Sequence, residues 1–385
     1  MGLGMKLFLD CSLLSIGGGV QVGLSIIQNI ANDSSFQLIV TASPQINEQL
    51  NDDVKNKLFA YHVVENVSIF KKIKQGKLLA ELEERYNPDL VFCVFGPCYW
   101  QPKANFLQGF ALPKMLYPES RKNYTKKSYK FKEELIDYFK AYFFKKNSKH
   151  VVVETDVFKD RLLQKFNLDS RYVYVIPNSY SPAFQKSIKD NLASINPNEN
   201  EINIFVPGGY YRHKNYEVLP EIASQLLINN RNKNFCFYLS LNPESTGWLN
   251  IQKIAIDLGV LEHIKTLGHI PNAEIGKEYL RSNIIMSLSS AEASTAVYPE
   301  AMCAKRPLIV SDTDFARKLC KEAALYVNPF NAKEIAEKII YLSNNESLRI
   351  NLIENGDKVF ISNYPDPDSK WKMQRELLIK LANLN

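Results

Sequence analysis

Two glutamates, Glu292 and Glu300, are separated by seven residues in the stretch Glu292-Ala-Ser-Thr-Ala-Val-Tyr-Pro-Glu300. Pro299 suits the first turn of a helix, which places Glu300 where a carboxylate is favoured by the helix dipole. Carboxylates held this way can accept hydrogen bonds from vicinal hydroxyls, as in a ribose diol or a sugar. A second cluster, Pro207-Gly208-Gly209-Tyr210-Tyr211-Arg212-His213-Lys214-Asn215, sets two cations beside a glycine turn and a helix start. That combination suits a pyrophosphate, which needs neutralising charge and convergent donors. Gly17-Gly18-Gly19 follows an apolar run, and glycines there let backbone N–H groups approach an anion. It is not the dinucleotide fingerprint, because Val22 stands at the third glycine position and no acidic residue ends the second strand.

These residues need scaffolds to position them, and short apolar runs alternate with longer amphipathic segments along the chain. The first half offers strands at Lys6–Leu9, Phe36–Val40, Phe59–Val63, Leu90–Phe95, Val151–Val153 and Tyr172–Ile176. The second offers Ile202–Val206, Phe235–Leu241, Ile264–Leu267, Ile284–Ser287, Pro307–Val310 and Leu325–Val327. Helical patterns such as Val20–Ala31, Asn215–Leu227 and Ala332–Leu342 lie between them. This alternation predicts an α/β fold of two doubly wound parallel sheets. The expected domains are 1–180 and 181–365, with residues 366–385 a helix returning to the first domain. The polar stretch Asn178–Glu201 reads as a linker between them, and ligands would bind in a cleft between facing carboxyl edges.

The 385 residues, 45% hydrophobic and 23% charged, fit two ordinary globular domains. Six cysteines lie far apart without a Cys-x-x-Cys pair, which predicts reduced thiols and no zinc or disulfide framework. The longest uncharged run, Cys11–Asn32, is too polar to span a bilayer, and Asp10 interrupts any signal peptide. A cytoplasmic protein is expected, peripheral at the inner membrane face if it meets the membrane. The net charge of +6 is concentrated: Arg121–Lys149 alone holds ten Lys/Arg against three acids, interleaved with aromatic residues. Such a segment fits an anionic membrane surface, or a plain surface helix with its apolar residues in the core. No motif for nucleic acid accompanies it.

Together these stretches resemble family 4 of the retaining glycosyltransferases, enzymes of the GT-B fold. The resemblance is carried by the Glu-x7-Glu pair with Ala301-Met302, by Arg306-Pro307-Leu308-Ile309-Val310-Ser311-Asp312 and by Ala323-Ala324-Leu325-Tyr326-Val327-Asn328-Pro329. Gly18-Gly19-Val20, Val175-Ile176-Pro177-Asn178 and His213-Lys214-Asn215 support it. Phe95-Gly96-Pro97-Cys98-Tyr99-Trp100-Gln101-Pro102-Lys103 and Tyr117-Pro118-Glu119-Ser120 are similar to bacterial surface-polysaccharide members, of O-antigen or capsule synthesis.

The resemblance implies a nucleotide diphosphate sugar as donor, a glycan acceptor on a lipid carrier, and no cofactor or metal. Glu300 would bind the nucleotide ribose and Glu292 the donor sugar. Lys214 and Arg212 would neutralise the diphosphate. Gly18, Gly19, Gly208, Ser294, Thr295 and Ala296 would border the donor, while Lys126, Lys127, Tyr117 and Glu119 would lie on the acceptor or membrane side. Three departures stand out. Gly209 holds the place of the family arginine, so its charge role passes to Arg212. Ala293 and Thr295 stand where glycines are usual, and no His lies between Gly96 and Lys149, leaving Tyr117 or Glu119 for its place. Asp312-Thr313-Asp314 follows a strand and opens a helical pattern, which reads as a helix cap rather than a metal site. The alternatives are a nucleotide-sugar 2-epimerase of the same fold and a non-catalytic nucleotide-sugar-binding protein.

Overall fold

The computed structural model describes residues 4–384 apart from 16, 66, 69–70, 122–126, 198–200 and 230–233, and leaves the side chains of 127–129 undescribed. The chain divides into two compact units. One comprises Met1–Met115, Tyr124–Ile176 and Asp368–Asn385; the other comprises Leu116–Asn123 and Pro177–Pro367.

The first unit is a seven-stranded parallel sheet: β1 Met5–Cys11, β2 Phe36–Ala42, β3 Ala60–Val63, β4 Leu90–Cys93, β5 Asn105–Gly109, β6 His150–Val153 and β7 Val173–Val175. Its order is β3-β2-β1-β4-β5-β6-β7. The second is a six-stranded parallel sheet: β8 Glu201–Val206, β9 Asn234–Leu239, β10 Ile264–Thr266, β11 Ile284–Ser287, β12 Leu308–Ser311 and β13 Ala324–Val327, ordered β10-β9-β8-β11-β12-β13. Strands such as β4, β11 and β12 are buried along their whole length. Helices cover both faces of such a sheet, so its strands are continuously apolar rather than alternating. In each sheet the order reverses beside the first strand, at β1/β4 and at β8/β11, and the carboxyl ends there are where doubly wound sheets take ligands.

Three expectations need correction. First, the strand Asn105–Gly109 lies between β4 and β6, where none was predicted. Gln108 breaks its apolar run, yet is fully buried: its Oε1 accepts from Cys98 N at 2.6 Å and its Nε2 donates to Ser148 Oγ at 3.0 Å. Second, the supposed linker Asn178–Glu201 contains a helix, Pro182–Asn191. Ser181 caps it, Pro182 opens it, and Phe184 and Ile188 bury one face, with Phe184 edge-on to Tyr279 at 5.1 Å. Third, the first helix spans Gly18–Ala31 rather than starting at Val20, so Gly18 and Gly19 sit in its first turn after Gly17 at φ 59°.

The last helix, Pro367–Ala382, belongs almost wholly to the first unit. Leu377, Leu378 and Leu381 pack into the core around β1 and β2, and Arg375 bonds Asp33 and Ser35.

Candidate functional site

The carboxyl ends of β8 and β11 lead into two loops that are stitched together. After β8, the chain turns at Gly208, whose φ of 113° suits glycine, and whose N–H donates to Ser240 Oγ at 2.8 Å. The buried Tyr216 hydroxyl donates to Gly208 O at 3.0 Å. A 3₁₀ turn, Arg212–Lys214, ends at Asn215 in the left-handed region, φ 54°. Asn215 Nδ2 donates to Leu288 O at 2.7 Å, and Ser290 N donates to His213 O at 2.7 Å. These bonds fix the loop after β8 against the loop after β11.

At that seam Lys214 Nζ lies 3.1 Å from Glu292 Oε1, with both side chains at least four-fifths buried. Ser289 Oγ also donates to Glu292 Oε1, at 2.7 Å. A Cβ on Gly208 would sit 3.5 Å from Lys214 Nζ, so glycine leaves the approach to that ammonium open. Glu300 stands in the first turn of the helix Val297–Cys303, and its Oε2 accepts from the buried Tyr279 hydroxyl at 2.7 Å. Burial raises the Glu300 carboxyl to about 7, although Tyr279 and the nearby Lys214 charge both pull it down. One seam therefore holds an ammonium, a carboxylate ion-paired to it, and a carboxyl poised near neutrality.

The loop from Leu288 to Ala296 contains no residue with positive φ. Ala293 and Thr295 therefore fit this loop without backbone strain. Thr295 Oγ1 accepts from Val297 N at 3.3 Å and so helps to start the helix, with Ala296 at its N-cap. Ser294 is half-buried and Arg212 exposed. Asp312 is gripped by Arg317, Nε to Oδ1 at 2.5 Å and the second guanidinium nitrogen to Oδ2 at 2.8 Å, while Thr313 caps the helix Asp314–Cys320. No group of three His, Cys, Asp or Glu that could hold a metal occurs among the described residues.

Gly18 and Gly19 belong to the first unit, where a Cβ on Gly18 would meet nothing within 4 Å. Tyr117 belongs to the second unit, fully buried and edge-on to Phe315 at 5.4 Å. That packing makes it a core residue, correcting its assignment to an acceptor surface; Glu119 beside it is half-buried in the turn Pro118–Arg121. Lys126 lies outside the described residues, as does the side chain of Lys127.

Residues 187–359, which include the whole seam, match the family model "Glycosyl transferases group 1". The chain carries a group 1 glycosyl transferase domain. It is 25% identical over 191 residues to the O-antigen chain mannosyltransferase RfbU of Salmonella typhimurium, covering 49% of each protein. The chain thus spans about half the length of that curated relative. In fold it is similar to a Rickettsia africae glycosyltransferase, with a TM-score of 0.69 at 18% identity over 99% of this chain and 100% of the other. It is similar also to Anabaena HepE solved with UDP-glucose, with a TM-score of 0.70 at 14% identity over 98% and 100%. The two Rossmann-like units are those of the GT-B fold.

Within the glycosyl transferase domain, two partners of the predicted residues escaped sequence reasoning. Ser289 lies three residues before Glu292, a local spacing that could have suggested it. Tyr279 lies on the separate helix Ile275–Arg281 and gives no local signal.

Proposed function

We propose that this protein transfers a sugar, with retention, from a nucleotide diphosphate sugar to a lipid-linked glycan in bacterial O-antigen or related lipopolysaccharide synthesis. The observation that carries the reading is the Lys214–Glu292 pair beside Glu300 and Tyr279, inside the group 1 domain. The described geometry suits each role. Glu300 accepts from the ribose hydroxyls, Glu292 accepts from hydroxyls of the donor sugar, and Lys214 meets the diphosphate with Arg212 at the entrance. As the acceptor hydroxyl oxygen bonds to the anomeric carbon, the bond from that carbon to the diphosphate breaks. The electron pair leaves with the diphosphate, and the diphosphate takes up the hydroxyl proton. Lys214 stabilises the charge that develops there. RfbU is named a mannosyltransferase of the O-antigen and HepE was solved with UDP-glucose, which supports a nucleotide-sugar donor and a surface-glycan product.

Transfer in this reading needs no metal, because Lys214 supplies positive charge at the seam and Asp312 is committed to Arg317. A screen of UDP-, GDP-, dTDP- and ADP-sugars by thermal shift identifies the donor. Free nucleoside diphosphate should then appear only when an acceptor is added, and at an unchanged rate in EDTA. Release that depends on manganese or magnesium would overturn metal independence. An altered donor sugar without any acceptor would identify an epimerase, and donor binding without turnover a binding protein.

We also place the protein peripherally on the inner face of an anionic membrane. No helix of the described residues is long and apolar enough to cross a bilayer. On the helix Lys127–Asn147, however, Phe131, Leu135, Tyr138 and Tyr142 form one exposed stripe at helical spacing. Exposed Lys130, Lys132, Lys145 and Lys146 flank it. Sedimentation with phosphatidylglycerol vesicles should therefore have two parts. The electrostatic part fades as the Debye length falls from about 30 Å at 0.01 M salt to about 10 Å at 0.1 M. Lys145→Gln with Lys146→Gln should weaken it, and Phe131→Ser with Tyr138→Ser should remove the salt-resistant remainder. Equal pelleting of wild type and both variants would overturn the placement.

A further inference from the structure

Tyr279 carries a hydroxyl into a cage of aromatic rings. It lies in the helix Ile275–Arg281 and is fully buried. Its ring meets Phe184 edge-on at 5.1 Å and Phe205 of β8 at 5.3 Å, and these two contacts hold its plane. The helix that carries it is fixed as well. A Cβ on Gly276 would lie 2.9 Å from Ser187 Oγ, so the helix Pro182–Asn191 approaches closely. Arg306, just beyond the helix Val297–Cys303, donates from a guanidinium nitrogen to Leu280 O at 2.7 Å. The helices of Tyr279 and Glu300 are thus tied at two places, Arg306 to Leu280 and Tyr279 to Glu300.

A phenylalanine would fill the same cage, so packing does not account for the hydroxyl. Among the described residues, Tyr279 makes the one hydrogen bond to the Glu300 side chain, 2.7 Å to Oε2. Glu300 itself keeps part of its surface open. Its carboxylate is therefore held from the inside through Oε2, while Oε1 is left to a donor from outside.

We propose that Tyr279 is a positioning residue of the ribose site, whose hydroxyl holds Glu300 by Oε2 and so presents Oε1 to the nucleotide. The inference rests on the reading of Glu300 as the ribose acceptor and adds the group that holds it in place. The same bond acts on charge, because a donor to a carboxylate favours the ionised form. Burial opposes it and holds the Glu300 carboxyl at about 7, and Lys214 on the turn after β8 favours ionisation. Glu292, in the loop before the helix, is paired with Lys214. Cys303 on the same helix is pushed up to about 11, by burial first and then by the Glu300 charge. Beyond it lie Lys189 on the helix Pro182–Asn191 and Asp357 on the helix Glu346–Asn363, the latter 3.6 Å from Lys305. Burial holds the Tyr279 and Tyr216 hydroxyls above the ordinary tyrosine range, so Tyr279 stays a donor at neutral pH.

UDP, GDP, dTDP and ADP are the probes, and the tightest binder is titrated calorimetrically into the full chain from about pH 6 to pH 9. Tyr279→Phe keeps the ring and removes the donor, which should raise the pH at which affinity levels off by about one unit. The variant should then bind about fivefold more weakly than wild type at pH 7 and nearly equally at pH 9. Taking the ratio of the two proteins at each pH cancels the titration of the nucleotide itself. Replacing Tyr279 by para-aminophenylalanine keeps a weaker donor and should give an intermediate profile. A tyrosine that only packs would change affinity by one factor at every pH, or not at all, and either result overturns the proposal. Urea unfolding checks that each variant is folded. If Tyr279→Phe fails that check, the para-amino protein is read against wild type with the same two outcomes. Failure of the ribose reading looks different: Glu300→Gln then binds as tightly as wild type at pH 8. Failure of the Tyr279 role alone leaves Glu300→Gln weak and Tyr279→Phe without a pH-dependent loss. No binding of any probe by wild type overturns both.

Discussion

Lys214→Ala is expected to lower turnover by about 10²–10³-fold, the usual loss when one donor to a developing oxyanion is removed. The same change should destabilise the ligand-free protein. Lys214 and Glu292 are both largely buried and 3.1 Å apart, and the Ser289 hydroxyl also donates to that carboxylate. Removing the ammonium strands a buried charge, which costs about 3–5 kcal/mol. Adding Glu292→Ala removes the stranded charge, so the double variant should regain much of the lost stability. Its turnover should stay low, because the diphosphate still lacks its cation and the donor sugar has lost an acceptor. Urea unfolding and steady-state kinetics on the three variants separate the two effects. If the double variant recovered turnover together with stability, the pair would be a strut of the fold and not part of the chemistry.

That pair was readable from sequence because its members lie close to punctuation. Lys214 follows a glycine turn, and Glu292 precedes Pro299 in a short loop between two strongly apolar strands. The sheets were readable for the same reason: Ile284–Ser287 and Leu308–Ser311 are buried on both faces and admit few polar residues. Elements failed to show where a buried residue is polar or a helix is short. Gln108 hides β5, because its amide is satisfied only by residues brought near by folding. The helix Pro182–Asn191 buries just Phe184, Ser187 and Ile188, too little periodicity to stand out from a polar stretch. The aromatic, basic segment was recognised as a helix candidate, yet its composition does not say which face turns inward. Its inward partners, Tyr99 against Phe139 and Phe143 and Phe110 against Phe144, come from other parts of the chain. Tyr279 escaped likewise, since only the fold brings its hydroxyl to Glu300.

Tyr279 and burial give Glu300 a second measurable signature. Its carboxyl titrates at about 7 in the ligand-free protein, raised from an ordinary 4.5 chiefly by desolvation. A carboxyl with a raised folded value stabilises the fold fully below its unfolded value and loses that contribution as pH rises through the folded one. Between pH 4.5 and 7, ionising Glu300 should therefore cost the empty protein about 3 kcal/mol, at 1.36 kcal/mol per pH unit. Glu300→Gln keeps an oxygen for the Tyr279 hydroxyl and carries no charge. It should be more stable than wild type at pH 8 by about that amount, and nearly equal to it at pH 4.5. Nucleotide binding should move the opposite way. Ribose hydroxyls donate to the ionised carboxylate, so wild-type affinity should be level above pH 7 and fall about tenfold per unit below it. The glutamine variant should bind about 1–3 kcal/mol more weakly at pH 8 and show no such slope. Calorimetry across pH 5–8.5, scanning for unfolding and titrating for nucleotide, reads both effects on the same two proteins. A flat wild-type affinity, with equal binding by Glu300→Gln, would remove Glu300 from the ribose site. Greater stability of the variant at pH 8 would then mean only that a buried charge had been taken away. If both opposing shifts appear together, the carboxylate is kept at a cost to the empty fold because the nucleotide needs it.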